Sequence, residues 1–343
     1  MIRRHMEPRL REWWRGGGGV GGVVYRGISA PLAGLFSVGV GIRNRGFDRG
    51  VLPSGSATIP VISIGNLAVG GAGKTPFTRW VVETLLEGGT LPAVVSRGYG
   101  EDEPALHRQW YPRVPVVLSP RRLDGVRTAA AEGAGVAVLD DAFQHRALRR
   151  DLDIVLLAAE HPHPIRLLPA GPYRESLAAL RRAHVVVVTR RVASAGVARE
   201  WMDRVRRGWP HLTVASLRFA PGSWSTLEGR EAEAPEGPLL AASGVAAPEG
   251  FARMVEESTG APVELMAFPD HHRFTPGDLR EVVRRARGRT VVITQKDAVK
   301  WLDLPEPLPG VRVLSLTPVF EEGEAAVRVA LHRTLQEKPT HGP

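Results

Sequence analysis

Residues 60–77 read PVISIGNLAVGGAGKTPF, and the chemistry of this stretch decides the fold. The run 60–65 is apolar and rich in β-branched side chains, the pattern of a strand buried on both faces. From Lys74 onward Phe77, Trp80, Val81, Thr84 and Leu85 recur at helical spacing. Between strand and helix lies Val69-Gly70-Gly71-Ala72-Gly73-Lys74-Thr75. Glycines let a backbone wind tightly there, so that successive N–H groups converge on an anion and the helix N-terminus adds a favourable dipole. In such a loop Lys74 reaches the terminal phosphates of a nucleotide and Thr75 holds Mg²⁺. Gly70, Gly71, Ala72, Gly73, Lys74 and Thr75 are therefore the candidate nucleotide-binding residues, with ATP and Mg²⁺ as the implied cofactors. The pattern G-x-x-x-x-G-K-[ST] is broken at its first position, Ala68, and Gly70 and Gly71 are expected to supply the missing flexibility.

Working outward, further short apolar runs at 92–98, 135–141, 153–158 and 184–190 alternate with amphipathic stretches such as 121–132. Strand–helix–strand repetition predicts a doubly wound, mostly parallel α/β sheet of P-loop NTPase type. Residues 220–237, rich in Pro, Gly and Glu, read as a linker. Runs at 238–244, 263–268, 290–297 and 311–316 predict a second, smaller α/β domain beyond it. The expected division is 1–45 as an N-terminal membrane-interface segment, 46–225 as the P-loop domain and 226–343 as the smaller domain completing the cleft. A phosphate loop needs a carboxylate at the end of a neighbouring strand, and the run 135–141 ends in Asp140 and Asp141, either of which suits Mg²⁺ directly or through water.

The 343 residues contain no cysteine, which excludes disulfides, thiolate zinc sites, iron–sulfur clusters and cysteine nucleophiles. Net charge is +9, pointing to an acidic partner. No aromatic–basic stacking pattern marks nucleic acid as that partner, and no obligate protein partner is evident. Lysine occurs only at Lys74, Lys296, Lys300 and Lys338 among 45 basic residues, so each lysine is a stronger functional candidate than an arginine. At the amino terminus Arg3, Arg4, Arg9, Arg11 and Arg15 interleave with Leu10, Trp13 and Trp14, a composition suited to an anionic membrane surface. The uncharged run 27–42 has 16 residues, short of the ~20 needed to span a bilayer, and GGGGVGG at 16–22 reads as a flexible joint. A secretory signal is not expected.

Taken together, the blocks ISIGNLAVGGAGKTPF (62–77), SRGYG (96–100), EDEP (101–104), LDDAFQHRALRRDLDIV (139–155), LPAGPYRES (168–176), FPDHHRFT (268–275) and TQKDAVK (294–300) resemble the lipid A tetraacyldisaccharide 4'-kinases of Gram-negative bacteria. The resemblance implies transfer of the γ-phosphate of ATP to the 4'-hydroxyl of an acylated glucosamine disaccharide 1-phosphate, giving lipid IVA. It also implies a peripheral or monotopic place on the cytoplasmic face of the inner membrane. By the same resemblance Asp102 is the proton acceptor, Glu103 lies near the metal and His271 pairs with Asp102 from 169 positions away. Arg97, Gln144, His145 and Arg174 are weaker substrate-site candidates, and Arg174 and Glu175 either touch substrate or pair with each other. Two other readings share the loop: a P-loop kinase for another small molecule, and a partitioning-type ATPase, whose loop carries a lysine where this chain has Val69.

Overall fold

Among the residues described by the computed structural model (10, 12–14, 17–98, 102–161, 163–245, 247–302, 304, 308 and 310–337), one eleven-stranded sheet organises the chain. Its strands are β1 (Val61–Asn66), β2 (Pro92–Ser96), β3 (Val116–Leu118), β4 (Val136–Asp140), β5 (Leu152–Ala158), β6 (Val185–Arg190), β7 (Thr213–Ser225), β8 (Leu239–Ser243), β9 (Val263–Ala267), β10 (Thr290–Thr294) and β11 (Arg312–Glu322). The helices are α1 (Gly19–Asp48), α2 (Lys74–Glu87), α3 (Asp102–Trp110), α4 (Arg122–Ala131), α5 (Ala195–Gly208), α6 (Pro248–Thr259), α7 (Pro276–Ala286), α8 (Gln295–Leu302) and α9 (Glu324–Glu337). Spatial order is β3-β2-β4-β1-β5-β6-β7-β11-β10-β8-β9. Neighbours pair in parallel except β7 with β11, which run antiparallel and join two parallel halves.

Period-two burial explains the layers, because successive side chains of a strand face opposite sides. Ile62, Ile64, Val136, Val138, Val185 and Val187 pack with Phe77, Trp80, Val81 and Leu85 of α2 and with Val327 and Leu331 of α9. Their chain neighbours Val186 and Val188 meet Trp201, Met202 and Val205 of α5 on the opposite face. With both faces covered, β1 is buried throughout and delivers the glycine-rich loop from the middle of the sheet.

Three expectations need correction. The linker read into 220–237 is strand up to Ser225, since Ala220 and Pro221 pair with Thr317 and Leu316 of β11. Gly19–Gly22 belong to α1 and not to a flexible joint: Trp14 Nε1 and Tyr25 Oη donate to the Pro169 carbonyl at 2.8 and 2.5 Å, and the Trp13 and Tyr25 rings lie 4.9 Å apart, anchoring the segment. Finally, α1 extends well beyond the 27–42 run. Its 30 residues measure about 45 Å at the usual helical rise, against about 30 Å of bilayer hydrocarbon. By length and composition it is apolar enough to cross a membrane, with mean hydropathy 1.4 in its most apolar window. Val20, Val24, Ile28, Leu35, Val38 and Ile42 are exposed along it. The basic stretch before it falls mainly outside the described residues.

Candidate active site

Loop geometry accounts for both the glycines and the alanine. Ala68 forms an antiparallel bridge with Tyr173, Val69 N–H donates to the Pro172 carbonyl at 2.8 Å and Arg174 N–H donates to the Leu67 carbonyl at 2.7 Å. Position 68 is thus extended and laterally paired, a conformation alanine adopts freely. Winding begins at Gly70 (φ 110°) and ends at Gly73 (φ 81°), the N-cap of α2. A Cβ at Gly73 would lie 2.1 Å from the Phe219 ring, so space as well as conformation demands glycine there. Thr189 Oγ1 donates to the Ala72 carbonyl at 3.0 Å and ties the end of β6 to the loop.

Beyond the loop, carboxylates and cations interlock. Thr75 Oγ1 donates to Glu103 Oε1 at 3.1 Å, and Lys296 Nζ stands 2.6 Å from the same oxygen. Asp102, first residue of α3 and buried, is hydrogen-bonded through Oδ2 to His271 Nδ1 at 3.1 Å, and Lys300 Nζ lies 3.3 Å from the same oxygen as an ion pair without a hydrogen bond. Burial alone would raise the Asp102 carboxyl, but the His271 hydrogen bond and the charges of Lys296 and Lys300 outweigh it and hold the group well below the carboxylate range. Glu103 is likewise lowered: burial opposes, and Lys296 and Lys74 prevail. The same hydrogen bond raises His271 above an ordinary imidazole.

His271 reaches Asp102 because the chain after β9 turns sharply. The residue has φ 53°, and its N–H donates to the Gly244 carbonyl at 3.1 Å. Gly244 N–H in turn donates to Asp297 Oδ2 at 3.1 Å, and Thr294 Oγ1 donates to that oxygen at 2.7 Å. The fully buried Asp297 therefore braces the turn that carries the histidine. His272 points elsewhere, its Nε2 3.1 Å from Asp278 and its ring stacked on Phe268. Three of the four lysines, Lys74, Lys296 and Lys300, converge on these carboxylates, while Lys338 lies outside the described residues.

The two aspartates after β4 differ in surroundings. Asp140 is buried, its Oδ1 has no hydrogen-bond partner, and burial followed by the Glu103 charge pushes it up to about 7. Asp141 lies 3.6 Å from Lys74 Nζ and 3.1 Å from Arg174 Nη1; burial opposes ionisation, but these two cations lower its pKa. Arg174 pairs with Asp141 and Glu175 with Arg182 at 2.9 Å, so the two do not pair with each other. Gln144 Nε2 donates to the Asn66 carbonyl at 2.9 Å and to Glu175 at 3.2 Å. Half-buried His145 is lowered to about 4 by burial and then by the nearby charges of Arg122, Arg150, Arg97 and Arg43. Arg97 itself is exposed just past β2.

A cavity of about 350 Å³ collects much of this set, lined by the glycine-rich loop, Lys74, Thr75, Glu103, Asp141, Arg174, His271 and Lys296. Trp110, Phe251, Met254, Leu314 and Leu316 give it an apolar wall. Mg²⁺ usually keeps several waters and takes one or two carboxylates plus substrate phosphates. The Thr75 hydroxyl, Glu103 and the unpartnered Asp140 oxygen fit that demand, and a cation there would offset the cost of ionising Asp140. Asp141, also expected as a metal ligand, is engaged by Lys74 and Arg174. The bracing role of Asp297 and the presence of Arg191 on the cavity wall were not evident from sequence. Asp297 has a local part, the reciprocal bonding with Thr294 three residues earlier, but its hold on Gly244 and the surroundings of Arg191 depend on distant pairing.

A glycine-rich loop between a central parallel strand and a helix, with a carboxylate closing the adjacent strand, defines a P-loop α/β protein. The family described as tetraacyldisaccharide-1-P 4'-kinase (LpxK) matches residues 26–102 and 101–336, and the chain belongs to that family. It is 43% identical over 330 residues to the tetraacyldisaccharide 4'-kinase of Anaeromyxobacter sp. (strain K), covering 84% of each chain. It is 34% identical to that of Chlorobaculum tepidum, covering 85% of this chain and 93% of the relative. Among solved structures, LpxK from Aquifex aeolicus in complex with ATP superposes with a TM-score of 0.71 at 28% identity, over 90% of this chain and 99% of that one.

Proposed function

We propose that this chain phosphorylates the 4'-hydroxyl of an acylated glucosamine disaccharide 1-phosphate at the expense of ATP, yielding lipid IVA at the cytoplasmic face of the inner membrane. The observation that carries the reading is the Asp102–His271 pair at 3.1 Å, with His271 lining the same cavity as Lys74 and Thr75. Family membership supports the substrate class. An exposed apolar stripe on α1 supports contact with a membrane where a lipid acceptor resides.

Loop N–H groups and Lys74 bind the nucleotide phosphates, and Thr75, Glu103 and Asp140 are the residues that would hold Mg²⁺. When bound, ATP supplies the phosphoryl group and Mg²⁺ offsets its charge. Asp102 receives the hydroxyl proton. Its low proton affinity at rest suits a loose transition state, in which the hydroxyl becomes acidic only as its oxygen bonds to phosphorus. His271 orients that carboxylate and shares the arriving proton. ADP formation should rise severalfold when detergent-dispersed tetraacyldisaccharide 1-phosphate is added to protein, ATP and Mg²⁺. No stimulation over ATP alone would sink the assignment and favour a kinase for another small molecule.

A further inference from the structure

Arg191, immediately after β6, lies on a wall common to two cavities. One is the 350 Å³ cavity at the loop; the other, of about 540 Å³, is bounded by Trp14, Gly70, Gly71, His161, Arg253 and Asp270 among others. The residue is held firmly. Glu160 Oε1 accepts the backbone N–H groups of Arg191, Val192 and Ala193 at 2.6, 3.0 and 3.1 Å, while Thr189 two residues earlier is bonded to the loop at Ala72. The Arg191 guanidinium stacks over Phe219, 5.5 Å from the ring centroid. That ring occupies the space a Cβ at Gly73 would need, so the arginine is built directly onto the loop's glycine.

Its electrostatics are unusual for a structural arginine. The Nε is buried without a hydrogen-bond partner, and among the described residues no carboxylate comes within ion-pair distance of the guanidinium. Glu160 and Asp270 act on it only as more distant charges. A sheltered, poorly paired cation costs stability unless an anion completes it. Arginine's planar fork matches the spread negative charge of a transferring phosphoryl group, and it stays protonated when buried.

We propose that Arg191 is a catalytic residue that donates to the phosphoryl group as it passes from the nucleotide to the acceptor hydroxyl. The proposal rests on the phosphotransfer reading above. In that step the acceptor oxygen bonds to phosphorus, the bond from phosphorus to the departing ADP oxygen breaks with its electron pair going to ADP, and the hydroxyl proton passes to Asp102.

The test compares wild type with Arg191→Ala and Arg191→Lys. The alanine variant should lose about 10²-fold or more in kcat, with KM for ATP changed by less than about threefold. Added guanidinium should restore part of the alanine variant's rate and none of the lysine variant's. Calorimetry without acceptor supplies a second readout: the alanine variant should bind Mg–ADP normally but bind Mg–ADP–aluminium fluoride, which mimics the transferring group, at least about tenfold more weakly. Unchanged kcat, an effect confined to the acceptor KM, or equal loss of affinity for both nucleotide complexes would overturn the proposal, the last marking a structural role. Should wild type phosphorylate no acyl-disaccharide phosphate, the proposed function fails, yet the two calorimetric affinities still decide the role of Arg191.

Discussion

Asp102 gathers three cationic side chains from outside its own helix, His271 at 3.1 Å, Lys300 at 3.3 Å and the charge of Lys296, although it sits at a helix start where a carboxylate is already favoured. If Asp102 accepts the proton and His271 orients it, Asp102→Ala and His271→Ala should each lower kcat with little change in ATP affinity, and the double variant should be scarcely worse than the more damaged single. Fully multiplicative losses would separate the two roles. If Lys74 compensates charge at the transferring phosphate, Lys74→Ala should cost at least about 10² in rate with an unaltered circular dichroism spectrum. His107 on α3 gives a test of pH dependence. Its ring is 1% exposed, neither nitrogen has a partner, and burial lowers it to about 4 from an unfolded value of 6.5. The unfolded chain therefore binds the proton first, and stability present above pH 6.5 is lost as pH falls toward 4. Near pH 5 the loss amounts to about 2 kcal/mol. Unfolding free energies of wild type and His107→Phe between pH 7 and pH 5 should show a shallower decline in the variant, and parallel declines would clear His107 of that role.

The α1 helix ends in a web that reaches the site. Asp48 pairs with Arg146 at 2.7 Å and Arg181 at 2.6 Å, Asn44 Nδ2 donates to Glu175 at 2.6 Å, and Arg43 donates to the Gln144 carbonyl at 2.7 Å. Deleting residues 1–42 removes the exposed stripe while sparing these contacts. The truncated protein should show a far larger rise in KM for the lipid acceptor than for ATP and should float poorly with liposomes. Equal rises would make α1 structural. Elements with a local cause were readable in the sequence: β1, β4, β5, β6 and β10 are β-branched runs, and α4 was expected at 121–132 and forms at Arg122–Ala131. Elements with a distant cause were not. β3 is three residues long, and β7 contains Pro221 and Gly222, which look like a break until β11 supplies the partner. The apolar reach of α1 was underestimated because its glycines weigh against helix in isolation, whereas Trp14 and Tyr25 anchor it to Pro169.

Across the whole molecule the sheet brings chemistry together from opposite sides of the antiparallel β7–β11 pair. Lys74, Asp102, Glu103 and Asp140 come from the half built on β1, and His271, Lys296 and Lys300 from the half built on β8–β10. The expected boundary at 225/226 falls at the last residue of β7, but β11 returns beside that strand, so the two halves share one continuous sheet. The glycine-rich loop and Asp140–Asp141 were legible because phosphate chemistry constrains residue types locally, and Lys296 and Lys300 stood out through the scarcity of lysine. Only the pairing of Asp102 with His271 was anticipated, through family resemblance, since no local pattern links positions 169 residues apart; the approach of Lys296 and Lys300 to Asp102 was not. The most direct measurement follows a radiolabelled γ-phosphate from ATP, with the tetraacyldisaccharide 1-phosphate acceptor in mixed micelles, and locates the label on the product. Wild type should yield a 4'-phosphomonoester, and Asp102→Ala should form it at least about 10²-fold more slowly at unchanged nucleotide affinity. Label found only as inorganic phosphate, or undiminished 4'-labelling by the variant, would contradict the proposed function.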